Sequence, residues 1–413
     1  MRISTAMIFN SSVSSMNQQT AAQLKLTQQI SSGQRITTPA DDPVAATQVL
    51  EVQQARDING QYSTNLSNAK SALGLEDAQL SSVTDILTRI KELSVEAGNS
   101  TYSDSNRAAI AVELRSDFGQ LMNIANATDG TGQYLFSGYK GSTQPFSGSI
   151  DALIANPSLD VSYLGDDGQR TLSVAASSQL AVSDAGSNVF MRIPAGNGYF
   201  TTTYATGNTG TGVIDPGTVT DPTAWANTAN KPLTLSFAVA AGVTTYTVTD
   251  SGGNTLATGN YTDGQAITLA AQGISFTVAG APANGDSFSI QASSSKSLFR
   301  SLADLIGALE TPQVNDATKA KFETDLSGSL ADLNQATDNI LKVRTAVGSR
   351  LGEVTSLTNL NGDVDLQYAQ TLSSLRDLDY TKAISDLTQS QTNLTAAQKS
   401  FAAVSQLSLF NYI

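Results

Sequence analysis

YSTNLSNAKSALGLEDAQLSSVTDILTRIKELSVEA, residues 62–97, places apolar side chains at Tyr62, Leu66, Ala69, Leu73, Leu80, Val83, Leu87, Ile90 and Ala97. The steps alternate four and three, which is the seam of a coiled coil, and only Glu76 and Ser94 break it. Upstream, Asp41 or Asp42 can cap a helix whose first turn suits Pro43; downstream, Gly98-Asn99 can end it. The helix so predicted has about 55 residues and a length of roughly 80 Å, far beyond an ordinary globular helix.

The same period recurs on both sides of the chain. Ile110, Leu114, Phe118, Leu121 and Ala125 share one face of a helix predicted over 104–128. Leu298, Leu302, Leu305 and Leu309 predict a short amphipathic helix stopped near Pro312. A second long seam follows at Phe322, Leu326, Leu333, Ala336, Ile340, Val343, Val347, Val354 and Leu357. Two long helices, each with one apolar seam and from opposite ends of the chain, are expected to lie antiparallel.

Between Gly141 and Ser295 the period falls to two. Leu233, Leu235, Phe237 and Val239 alternate with small or polar residues, as do Ile274, Phe276 and Val278, and turn clusters such as Ser251-Gly252-Gly253-Asn254 separate the runs. This predicts an inserted all-β domain, a sandwich or a partly closed barrel, separable from the helices. Thr202–Thr220 is Gly/Thr-rich without clear period and reads as a surface loop. The fold class is therefore α+β, a long antiparallel helical bundle or coiled coil built from both chain ends with a β insert. The expected divisions are a terminal coiled-coil domain (1–42 and 366–413), a long-helix bundle (43–140 and 296–365) and the insert (141–295).

The chain ends have sparse apolar anchors: Val13, Met16, Leu24, Leu26 and Ile30 on one side; Ile384, Leu387, Leu394, Ala397, Phe401 and Val404 on the other, then Leu407, Leu409 and Phe410. Each end alone buries too little to be stable in water. The two ends are expected to pair with each other and with neighbouring molecules, leaving side chains such as Phe401 mostly exposed in a free monomer. Arg35 is the odd residue of the N-terminal arm; it either bonds a nearby carboxylate or carbonyl or is solvated. The candidate assembly interface is thus Met16, Leu24, Ile30, Arg35, Ile384, Leu387, Leu394, Phe401, Val404, Leu407, Leu409 and Phe410.

Composition narrows function by exclusion. The 413 residues carry a net charge of −13, and no basic concentration exists to neutralise a phosphate backbone, so nucleic acid is not an expected partner. The absence of His and Cys removes the commonest general base, thiol nucleophiles and thiolate metal sites. No apolar run is long enough to span a membrane, and the first residues lack the apolar core of a cleaved signal. Charged residues are 14% of the chain against a typical quarter, a composition suited to surfaces that pack on copies of themselves.

The remaining polar motifs read as structural. Asp41-Asp42 before Pro43 reads as a cap rather than a metal pair. Asp166-Asp167-Gly168 and Asp363-Val364-Asp365 lack the ligand alternation of a calcium loop. Gly207, Gly210 and Gly212 lie without the Lys and helix of a phosphate cradle. Trp225 reads as a local packing residue. No catalytic residue, cofactor or metal site is predicted.

Several ordered motifs resemble the flagellin family. Ser31-Ser32-Gly33-Gln34-Arg35-Ile36 followed by Ala40-Asp41-Asp42-Pro43 is similar to its N-terminal signature, and the Pro after the two Asp resembles the members that join hook to filament. Gly132-Gln133-Tyr134-Leu135-Phe136-Ser137-Gly138-Tyr139 with Pro145-Phe146 resembles those same members. Tyr163-Leu164-Gly165-Asp166-Asp167-Gly168 and Gly285-Asp286-Ser287-Phe288 look like motifs of their β domain. Asp338-Asn339-Ile340-Leu341-Lys342-Val343-Arg344, Gly348-Ser349-Arg350-Leu351, Leu378-Asp379-Tyr380-Thr381-Lys382-Ala383-Ile384 and Leu407-Ser408-Leu409-Phe410 are similar to the family's returning helices.

The resemblance implies an extracellular, non-enzymatic flagellar subunit exported through the type III apparatus without a cleaved signal. It implies as partners further copies in a ring, the first hook-associated protein, flagellin and an export chaperone. Two other readings are a filament subunit, and a secreted adhesin or enzyme active in the β insert.

Overall fold

The structure, a computed structural model, describes residues 5–406. Its chain divides into two units, one of residues 1–65 with 356–413 and one of 66–355. These divisions fall inside the long helices, whereas the sequence reading drew them at 42/43 and 365/366. The reason is where the apolar seam starts and stops, not where a helix is capped.

Eight α-helices are present among the described residues: α1 Thr5–Ser32, α2 Pro43–Ala97, α3 Asp104–Ala125, α4 Ile150–Ala155, α5 Pro222–Asn227, α6 Leu298–Glu310, α7 Asp316–Arg376 and α8 Tyr380–Gln406. Asp42, not Asp41, caps α2: its Oδ1 accepts the Ala45 N–H at 3.0 Å, with Pro43 at the first helical position where no N–H is needed. The third helix stops at Ala125 because Asn126 turns its amide to the Phe146 backbone, donating to the carbonyl (3.1 Å) and accepting from the N–H (2.9 Å).

In the 66–355 unit the heptad positions of α2 from Leu66 to Ala97 are buried, and those of α7 from Phe322 to Val354 lie against them almost as completely. The antiparallel sense is visible in Lys91 Nζ donating to Asn334 Oδ1 (3.1 Å) and Arg344 meeting Asp77 (3.1 Å). Ser94 is tolerated in the seam because its hydroxyl donates to the Ile90 carbonyl at 2.6 Å. Helix α6 is the most buried element. Its Phe299 touches Phe118 of α3 (5.8 Å between ring centroids), Phe146 (5.5 Å) and Phe190 (6.0 Å), one aromatic core.

That core corrects the start of the predicted insert. Phe146 and Phe190 are fully buried against helices, so the chain from Gly141 to Arg192 belongs to the helical packing. Period-two reading missed this because the segment has only short strands. The β domain proper begins at a neck in which Ile193–Pro194 pairs antiparallel with Ser295–Lys296, and the Ala195 N–H donates to the Ser294 carbonyl at 3.0 Å.

Beyond the neck lie nine strands: β1 Phe200–Tyr204, β2 Val213–Ile214, β3 Thr218–Val219, β4 Leu233–Ala240, β5 Val243–Thr249, β6 Thr255–Asn260, β7 Ala266–Leu269, β8 Ile274–Ala279 and β9 Ser287–Ala292. One antiparallel sheet has the order β6-β5-β4-β9-β1; a second has β7-β8-β2, with β3 also paired to β8. Phe288 of β9 stands opposite both Leu235 and Tyr204, so the first and last strands are neighbours and the domain closes where it opens. Both sheets supply one core, including Leu235, Phe237, Ile274, Phe276 and Phe288, as a sandwich requires. Thr202–Thr220 is not a plain loop: it includes the end of β1, β2 and β3. Asp215 holds these two-residue strands, accepting the Thr277 N–H (2.9 Å) and hydroxyl (2.7 Å). Strands that short leave no period to read.

Candidate assembly site

The unit formed by 1–65 and 356–413 is built around two chain connectors that pair with each other. Helix α1 ends as Gly33 turns to φ +71°, a conformation that only Gly adopts freely. A Cβ at this position would lie 2.9 Å from Tyr380 Oη. Past it, the Arg35 N–H donates to the Arg376 carbonyl (2.7 Å), and the Leu378 N–H donates back to the Gly33 carbonyl (3.0 Å). The Arg35 guanidinium lies over the same spot, with Nη2 donating to the Leu375 carbonyl at 2.7 Å and Nη1 3.5 Å from Asp42. Arg35 therefore bonds carbonyls at the end of α7 and the carboxylate that caps α2. A cation is favourable beside the last carbonyls of a helix.

Asp41 has a different task from Asp42. It accepts the N–H groups of Thr37 (3.0 Å) and Thr38 (2.9 Å) and meets Lys25 Nζ at 2.8 Å. The Lys25 ammonium first, then those N–H groups, hold its carboxyl well below the usual carboxylate range. Asp379 caps α8 by accepting the Lys382 N–H at 3.1 Å. Replacing Gly33 by Val forces a β-branched residue into positive φ and against Tyr380. The expected result is a loss of about 1–2 kcal/mol confined to this unit. Hydrogen exchange of the Arg35 and Leu378 amides should rise, with the 66–355 unit unchanged.

From the connectors α1 and α8 run side by side and antiparallel, ending with Phe9 and Phe401 at 5.1 Å between centroids. Met16, Ile30, Leu387, Leu394 and Phe401 are half-buried along this pair, while Leu24 (68%) and Ile384 (53%) face outward. The expectation that Phe401 is mostly exposed in a single subunit is thereby corrected: Phe9 covers part of its ring. Val404 lies in α8 with a side chain outside the described residues, and Leu407, Leu409 and Phe410 fall outside them altogether.

The sequence reading missed the polar ties of α2 to α7 in this unit. Asn59 and Asn361 exchange side-chain amide bonds to each other's backbone carbonyls (2.9 and 3.1 Å), and Arg56 forks Asp365 (2.8 and 3.2 Å). The signal was available, since the heptad weakens before Tyr62 and an Asn at a seam position pins register. Asp365 is thus engaged by Arg56. In the other unit Asp166 accepts from the Tyr139 and Gly168 N–H groups, and Trp225 is buried with its indole N–H on the Tyr199 carbonyl.

Burial separates the two units sharply. Among the described residues the unit of chain ends buries only Ala45, Leu372 and Ala383 as apolar side chains. It exposes eleven large apolar ones, among them Met7, Phe9, Leu24, Leu50, Leu360 and Leu366, against ten in the other unit, which is more than twice as long.

This arrangement defines a class, the flagellin-like proteins: the description of the bacterial flagellin N-terminal helical region matches residues 3–141. A flagellin of Treponema pallidum is 34% identical, but over 113 residues, 27% of this chain and 39% of its own. In contrast, flagellar hook-associated protein 3 of Salmonella typhimurium is 28% identical over 411 residues, 99% of both chains. The crystal structure of flagellar hook-associated protein 3 from Legionella pneumophila is 33% identical, with a TM-score of 0.73, covering 79% of this chain and 98% of that one. The chain belongs to the flagellar hook-associated protein 3 family.

Proposed function

We propose that this chain is a structural subunit of the bacterial flagellum at the junction of hook and filament, where it works by packing and not by catalysis. The observation that carries this is the extent of the likeness, which runs over 99% of a hook-associated protein 3 but only 39% of a flagellin. Its neighbours are further copies of itself in a ring, the first hook-associated protein and flagellin. The unit of 1–65 and 356–413 is the surface that meets them, because it exposes apolar side chains that its own core does not cover. Export proceeds through the type III apparatus with a chaperone.

The test is a strain lacking the gene. It should build hooks, carry no filaments and shed flagellin into the medium, with filaments restored by the gene in trans. Normal filaments in that strain would overturn the reading, and missing filaments without shed flagellin would point to the filament subunit instead.

A further inference from the structure

Glu76 occupies a heptad position of α2 between Leu73 and Leu80 and is 2% exposed. An apolar residue belongs there by pattern, and a buried carboxylate is costly unless paired. Its Oε1 accepts the Asp184 N–H at 3.1 Å, whereas Oε2 is buried and has no hydrogen-bond partner among the described residues. Asp184 sits in Val182–Gly186, a five-residue stretch that is buried throughout and has no helix or strand before Gly186. This stretch leads straight into Phe190 of the aromatic core.

The charged groups facing Glu76 come from two sides. From the stretch itself comes the Asp184 carboxylate, which also accepts Gln169 Nε2 at 2.7 Å. From α7 comes Arg350, paired with Asp184 and donating to the Ala181 carbonyl at 3.2 Å. Asp77, next on α2, is taken up by Arg344 of α7. Arg350 is thus paired with Asp184 and offsets only part of the charge that an ionised Glu76 would place beside a second carboxylate.

We propose that Glu76, Asp184 and Arg350 form a proton-operated clasp: neutral, Glu76 accepts the Asp184 N–H and holds Val182–Gly186 against α2 and α7, and once ionised it repels the Asp184 carboxylate and lets that stretch go. Burial first, then the charge of Asp184, push the Glu76 carboxyl up to about 8. The sign follows from linkage. A folded state that binds the proton more tightly than the unfolded chain is most stable below the ordinary Glu value of 4.5, loses stability as pH rises from there to about 8, and is level above. Paired surface carboxylates such as Asp365 have lowered values and act in the opposite sense at acid pH, outside this window.

The experiment compares the full chain with Glu76→Gln, whose amide keeps the shape and cannot ionise. Melting temperature is followed from pH 4.5 to 9, and trypsin cleavage after Arg170 or Arg192, on either side of the stretch, is timed at pH 7 and 9. The parent should lose melting temperature with rising pH where Glu76→Gln holds, and its cleavage at pH 9 relative to Glu76→Gln should rise about tenfold. Parallel melting profiles and equal cleavage ratios would overturn the clasp. Asp184→Asn gives a separate check should Glu76→Gln not fold: without the second carboxylate the inflection of the parent profile should move to lower pH. An inflection that stays in place would also overturn it.

Discussion

Phe401→Asp is expected to abolish the joining of filament to hook while leaving the melting of the 66–355 unit unchanged. In one subunit the ring is half-buried and touches Phe9 at 5.1 Å. Full burial of a Phe contributes about 1.5–3 kcal/mol, so partial cover in the single chain provides part of that and a neighbour the rest. A carboxylate there unpairs the outer ends of α1 and α8, where each helix alone is too thinly packed to persist. In a ring the loss repeats at every contact. The measurements are flagellin appearing unpolymerised in the medium, secretion of the variant itself, and two calorimetric transitions of which only the weaker moves. A fall of many degrees in the main transition would place Phe401 in the folded core and remove it from the assembly surface.

The second expected result separates two deletions that the sequence alone would have treated as one. Replacing 141–295 by a short Gly/Ser linker takes Phe146 and Phe190 away from Phe118 and Phe299, and all four rings are buried. Each lost Phe of such a core costs about 3–5 kcal/mol, so two exceed the margin of an ordinary domain. The long deletion should therefore be insoluble or lose cooperative helical melting. Replacing 197–292 instead cuts beyond the neck, where the Ala195 N–H and Ser294 carbonyl already meet at 3.0 Å and a few residues can close the chain. That variant should keep the helical circular dichroism and its melting temperature within a few degrees. If both deletions behave alike, the neck is not the boundary.

What was legible in the sequence was what repeats. The four-three seams of α2 and α7, the capping Asp before Pro43 and the period-two runs of β4 and β8 each report a local geometry that recurs along the chain. They suffice for the class of fold, and the flagellin-like motifs for the family. A missing His and a missing Cys narrowed the chemistry before any contact was known.

The tertiary structure decided what depends on two distant segments meeting. Asp41 and Asp42 are equivalent in a capping pattern; Lys25 and Thr37 claim the first, so the second caps α2. The neck of the β domain exists only because Ile193–Pro194 and Ser295–Lys296 pair from opposite ends of the insert, a register that no local period encodes. Glu76 reads as a break in a seam until Asp184 and Arg350 arrive from separate elements to surround it. Periodicity is set by the backbone of one element, whereas partners, burial and charge balance are set by which elements fold against it. That is why the sequence alone determined the helices, the insert and the family, and only the folded chain decided the domain boundary and the surroundings of its buried carboxyl.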